Sequence, residues 1–179
     1  GKGAVTDERL AFVHQDYGLL QDVALLIHGL GGRLPTLAEL GFFAGMGLTS
    51  GQLAEAAHHF HVQASGEQPQ ASEAQLQSVI ARMLGNTPSS VADGLYSQGM
   101  AVLNSGGSWG DVWLALVRSD LYKVSALGFV GGVTQLVQDS ALGETGWSID
   151  SGNNQLFGDA GNDVLVGGTG SHVLDGGAD

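Results

Sequence analysis

The chain has 179 residues with six Lys plus Arg against eighteen Asp plus Glu, a formal charge of −12, 43% hydrophobic residues, thirty Gly and no Cys. The basic residues Lys2, Arg9, Arg33, Arg82, Arg118 and Lys123 are scattered, so no cationic patch is available to displace counterions from nucleic acid. Without cysteine there is no disulfide framework, thiolate zinc site or catalytic thiol; with this acidity, an oxygen-ligated hard cation is the natural ionic partner.

From the N-terminus the pattern is helical. Leu10, Val13, Tyr17, Leu20, Val23, Leu26 and Ile27 recur three and four apart, and Leu76, Val79, Ile80, Met83 and Leu84 repeat that spacing. The spacing predicts an N-terminal helix from about Asp7, then helices over 22–31, 35–46 and 50–63, a linker over Ala64 to Ala71, helices over 73–85, 89–103 and 109–119, and a closing helix from Leu121 to Asp139. Thr49 with Gln52, Ser72 with Gln75, and Ser108 with Asp111 read as capping boxes, in which hydroxyl and acid or amide satisfy the orphan N–H groups of a first turn. Pro35 and Pro88 suit the first helical position, where a missing N–H costs nothing. No apolar run is long enough to cross a bilayer, and the first twenty residues lack the pattern of a cleavable export signal.

The helices form two related units, at about 22–63 and 73–120. Ile27, Gly32, Pro35, Gly41 and Phe43 are matched by Ile80, Gly85, Pro88, Gly94 and Tyr96 at an offset of 53, and Thr49, Gly51, Leu53 and Ala56 by Ser108, Gly110, Val112 and Ala115 at an offset of 59. The change of six places an insertion in a loop around Asn104 to Gly107.

Composition shifts near residue 143, dividing the chain into a helical domain over 1–142 and a Gly-rich, acidic tail over 143–179. The tail holds three nonapeptides, Ile149 to Phe157, Gly158 to Val166 and Gly167 to Asp175, with Gly176 and Gly177 opening a fourth. Gly152, Gly161 and Gly170 fill the fourth position, and Leu156, Leu165 and Leu174 the eighth. A nine-residue period divides into a six-residue Gly-rich turn and a three-residue strand with one inward Leu. Such turns aim carbonyl oxygens at a common centre, and an Asp at the sixth position adds a negative oxygen, approximating the six to eight oxygen ligands of Ca²⁺. The candidate ligand set is Gly152, Asn154, Gly158, Asp159, Gly161, Asp163, Gly167, Gly168, Gly170 and Gly176, with Asp150 able to compensate. Sixth positions read Asn154, Asp163 and His172, so only the turn around Asp163 keeps the full complement, which points to one or two sites of modest affinity.

These repeats resemble the RTX family of bacterial calcium-binding repeats, which implies a short parallel β-roll, type I export and an extracellular setting. Leu84, Gly85, Pro88, Tyr96, Gly107, Ser108, Ser119, Asp120 and Tyr122 follow the outline of a tandem helical domain family of unknown function found in secreted bacterial RTX and surface-layer-like proteins, and the first unit keeps Gly32, Pro35 and Phe43 of it. That second resemblance implies surface attachment, to glycan or to a neighbouring surface protein, without implying a reaction. The fold expectation is therefore a mainly α chain, two three-helix units in a bundle, followed by a β-roll. The functional expectation is a noncatalytic calcium-binding module of a secreted protein, or else the noncatalytic end of a larger secreted protease, lipase or epimerase.

Other constellations carry less. His58 and His61, with His59 between them, lie three apart but form an incomplete metal shell, and a solvated helix end accounts for them. Trp109 and Trp113, four apart on one helical face, could stack a sugar ring together with Trp147, although core packing is the stronger account. Gly29, Gly31, Gly32 and Arg33 lack the Lys and Ser or Thr of a phosphate loop and read as a turn. No nucleophile elbow is present, so no catalytic constellation is expected.

Overall fold

A computed structural model describes residues 17–66, 71–85, 89–127, 133–134, 145–148, 155–157, 164–166 and 173–175. The described residues are mainly helical: α1 (Tyr17–Gly31), α2 (Leu37–Ala44), α3 (Ser50–Ser65), α4 (Ser72–Leu84), α5 (Ser89–Asn104), α6 (Trp109–Arg118) and α7 (Asp120–Leu127). These are close to the predicted spans. The N-terminal helix from Asp7 begins outside the described residues, as does the boundary at 142/143. The closing helix is shorter than predicted: α7 ends at Leu127, and Val133–Thr134 is a strand. Gly128, Gly131 and Gly132, costly inside a helix, follow immediately in the sequence and are followed by β-branched Val133 and Thr134.

One compact unit comprises Leu25–Arg33 and Gly47–Gly128. Its most extensive helix pairing is α3 with α6, the third helices of the two sequence copies; α5 packs on α4, α6 and α7. Helix α6 is the centre. Val112, Trp113, Leu114, Leu116 and Val117 are all buried, on a stripe wider than one face. Full burial of each Val or Leu contributes about 1.5–3 kcal/mol. Ala54 of α3, at the position of the first copy that matches Trp113, is also fully buried, so the duplicated pair carries a large and a small side chain. Close approach of α5 to α4 depends on Gly99, where a Cβ would lie 2.6 Å from Cδ1 of the fully buried Leu76.

The other unit comprises Gly1–Ala24, Leu34–Met46 and Phe129–Asp179. Leu20, Val23, Ala24 and Leu40 are buried in it, as is Asp22. Five short strands follow the helices: β1 (Val133–Thr134), β2 (Thr145–Ser148), β3 (Gln155–Phe157), β4 (Val164–Val166) and β5 (Val173–Asp175). They fall in two sheets, β1-β2-β4 and β3-β5. The β1 and β2 strands run antiparallel, with Val133 opposite Ser148, whereas β2 and β4 run parallel, with Gly146 opposite Leu165. Strands β3 and β5 are also parallel, and Gln155, Leu156 and Phe157 face Val173, Leu174 and Asp175.

The duplication is visible in the caps. Thr49 and Ser108 are both N-caps, each hydroxyl accepting from the N–H three residues on (3.2 and 3.1 Å) while Gln52 and Asp111 reach back to the cap N–H. Gly32 and Gly85, at the offset of 53, both have positive φ, 72° and 58°, as do Gly47 and Gly106 at the offset of 59, with 74° and 86°. Three local expectations are corrected. Ser72 is the first residue of α4 rather than its cap; the cap is Ala71, with no side-chain hydrogen bond. Pro35 precedes the N-cap Thr36 and is not the first helical residue, and Thr36 with Glu39 forms a capping box of its own. The insertion of six lies in a helix rather than in a loop: α5 has 16 residues where α2 has 8, and the connection after Asn104 is as short as the one after Ala44. A helix absorbs six residues in about 1.7 turns with every backbone group paired, which a loop cannot do. Pro88 lies outside the described residues.

Candidate functional site

The calcium candidates Gly152, Asn154, Gly158, Asp159, Gly161, Asp163, Gly167, Gly168, Gly170 and Gly176 all lie outside the described residues. What is described is the strand that follows each Gly-rich turn: β3, β4 and β5 occupy the last three positions of the three nonapeptides. Strand assignment alternates between sheets from one repeat to the next, and the paired strands β3 and β5 are eighteen residues apart, two repeat lengths. Leu156 and Leu174 are register partners, so the eighth positions of the first and third repeats lie opposite each other in the ladder, and Leu174 is 48% exposed.

The most developed side-chain assembly among the described residues is in the helical unit and centres on the histidines. The face of α3 that buries Leu53, Ala54 and Ala57 continues through His58 and His61, which are 8% and 2% exposed. The expected solvated helix end is thereby corrected: only His59 of the three is exposed. The two buried rings extend the apolar stripe at spacings of three and four, a signal present in the sequence but masked by the run of adjacent histidines.

Each buried imidazole receives a hydrogen bond from a group that can only donate. The Trp113 indole N–H donates to Nδ1 of His58 (3.0 Å), and the Arg82 guanidinium Nε–H donates to Nδ1 of His61 (2.7 Å). Both rings are therefore neutral with the proton on Nε2. His61 Nε2 then donates to Ser78 Oγ (3.2 Å), and His58 Nε2 lies 3.4 Å from Gln75 Nε2, so this tautomer requires the Gln75 amide turned about to present its oxygen as the acceptor. Arg82 also donates from Nη1 to the carbonyl of Leu30 (2.9 Å) in the last turn of α1, a position favourable for a cation. Trp109 lies flat on His58, with centroids 4.7 Å apart and planes 4° from parallel. The assembly ties α1, α3, α4 and α6 together through polar groups with low water access, where satisfied hydrogen bonds rigidify the surroundings.

Trp113 is fully buried, leaving no face for a ligand, and one face of Trp109 is covered by His58. Trp147 lies in β2. Among the described residues no group of three His, Cys, Asp or Glu is placed to hold a metal ion, and the Nδ1 atoms of His58 and His61 are already occupied by donors.

A second pair joins Nδ1 of half-buried His28 to the hydroxyl of buried Tyr122 at 2.6 Å. Burial pulls the His28 imidazole below the ordinary histidine range and drives the Tyr122 phenol far above its own, so the tyrosine is an un-ionised hydrogen-bonding group. Gly29 permits this approach, since a Cβ there would come within 3.2 Å of Val117 Cγ1 and 3.5 Å of the Tyr122 hydroxyl. The Gly29 to Arg33 stretch is the end of α1, where Gly32 N–H donates to the His28 carbonyl at 2.8 Å. No described helix is long and apolar enough to cross a membrane.

Comparison with protein-family models, with curated proteins and with solved structures returned no match.

Proposed function

We propose that the tail is a calcium-binding β-roll of the RTX type, and that the chain is a noncatalytic module of a secreted bacterial protein, exported by a type I system and engaged in surface attachment. One observation carries the reading: β3 and β5 pair in parallel at a separation of two nonapeptides while β2 and β4 pair in the other sheet. Strands that alternate between two sheets every nine residues require a turn after each strand, and the sequence supplies Gly-rich turns there, with Asp163 and Asp159 in the middle one.

Calcium performs a specific task in this reading. The turns converge carbonyl and carboxylate oxygens that repel one another when unliganded, and so few short strands enclose too little apolar surface to hold them together. Binding energy is then folding energy. The millimolar calcium of an extracellular medium orders the tail, and the far lower level inside a cell leaves it loose enough to thread an export channel. Circular dichroism with calcium and with a chelator tests this: β signal and thermal stability rise with the ion, and Asp163→Ala weakens the response. Identical spectra and melting in both conditions would refute the reading.

A further inference from the structure

The two sequence copies differ systematically at one place. At the offset of 53, Ala24, Leu40 and Phe43 of the first copy become Gln77, Asp93 and Tyr96 of the second. Ala24 and Leu40 are 0% and 1% exposed. Their counterparts all line a single open groove of about 530 Å³ between α4 and α5, floored by Ile80 and Leu84. Three apolar positions have thus become three hydrogen-bonding ones in the same cavity.

None of these three side chains makes a hydrogen bond or ion pair with another described residue, so their capacity is available to a ligand. The volume falls within the roughly 300–1,000 Å³ of small-molecule sites. The chemistry selects among ligands. Asp93 only accepts hydrogen bonds, and on a chain of net charge −12 it disfavours an anion. Gln77 and Tyr96 both donate and accept, so a simple ammonium, which has no acceptor, would answer only half of the groove. A ring bearing hydroxyls on its edge and C–H groups on its face answers all of it: a carboxylate accepts from adjacent hydroxyls, an amide and a phenol exchange hydrogen bonds with others, and the aliphatic floor takes the apolar face.

We propose that the groove lined by Gln77, Asp93 and Tyr96 between α4 and α5 is a binding site for one neutral pyranose sugar. The site gives the attachment reading a ligand class, yet it stands on the groove and not on calcium, so sugar binding in the presence of a chelator separates the two.

The test uses the full chain and saturation-transfer NMR with methyl β-glucopyranoside, methyl β-galactopyranoside, N-acetylglucosamine, glucuronate and lysine as probes. At least one neutral pyranose should give transfer with or without chelator, glucuronate should give less, and Asp93→Leu, which installs the residue of the first copy, should weaken binding about ten- to hundredfold. Asp93→Asn keeps the shape and should fall between, and the melting temperature of both variants checks that the fold is intact. Absence of transfer from every neutral sugar, stronger binding of lysine, or an unchanged affinity in folded Asp93→Leu would each overturn the proposal.

Discussion

The duplicated helices α3 and α6 start with the same cap and the same glycine one residue inside the helix, and the two glycines should respond oppositely to one methyl group. At Gly51 a Cβ would find only Thr49 Oγ1, at 3.9 Å. Gly51→Ala therefore gains helix propensity and loses nothing, and should stabilise by about 0.5 kcal/mol. At Gly110 the N–H donates to Glu55 Oε1 at 2.6 Å, and a Cβ would lie 2.6, 2.8 and 2.9 Å from Oε1, Cγ and Cδ of that side chain. The carboxylate must move. A hydrogen bond to a charged group is worth about 1.5–3 kcal/mol, and the exposure of Glu55 reduces this to the lower end. Against the same propensity gain, Gly110→Ala should destabilise by about 1 kcal/mol, a separation of about 1.5 kcal/mol between the variants. Urea unfolding at pH 7.5 measures both, and in a Glu55→Ala background the Gly110→Ala change should revert to a small gain. If the two alanines stabilise equally in the native background, the Glu55 contact does not hold α6 as described.

Three further outcomes are expected. Trp113→Phe removes the indole that donates to Nδ1 of buried His58, so unfolding should become easier by about 2–4 kcal/mol; a change below about 0.5 kcal/mol would show that this hydrogen bond contributes little. His28 resists protonation in the folded chain while the unfolded chain takes up a proton at the ordinary histidine value near pH 6.5. Its contribution is thus fully present above about pH 6.5 and is lost as pH falls from there to its depressed folded value, which melting curves between pH 7.5 and 5.5 should show, more weakly in His28→Gln; a flat profile in the native chain would contradict it. Thr36→Ala, which opens the Thr36 and Glu39 box, should cost about 1 kcal/mol in the same urea assay, and a neutral result would return Pro35 to the start of the helix.

Helix order and the caps at Thr49 and Ser108 are legible because they rest on local physics: apolar spacing, hydroxyls before a helix, glycine after one. The failures have equally definite causes. Pro35 obscured the box that begins at Thr36, since a proline before a helix suits either side of the cap. The six extra residues of the second copy read as a loop insertion because insertions are generally tolerated there, although nothing between Ser89 and Asn104 breaks a helix except two tolerated glycines. His58 and His61 looked solvated because their partners are remote in sequence: Trp113 is 55 positions from His58, and Arg82 is 21 from His61. The pairing of α3 with α6 brings Trp113 to His58, whereas Arg82 reaches His61 from α4. The polar groove at Gln77, Asp93 and Tyr96 was likewise hidden, because its signal is a contrast between copies that acquires meaning once the residues are known to share a cavity.

The most direct measurement is a calorimetric titration of calcium into the pure chain, at neutral pH, alongside Asp163→Ala. The account predicts saturable heat with one or two ions bound, together with a gain of β structure, and a markedly weaker isotherm in the variant. No heat in the native chain, or identical isotherms in the two, would contradict it.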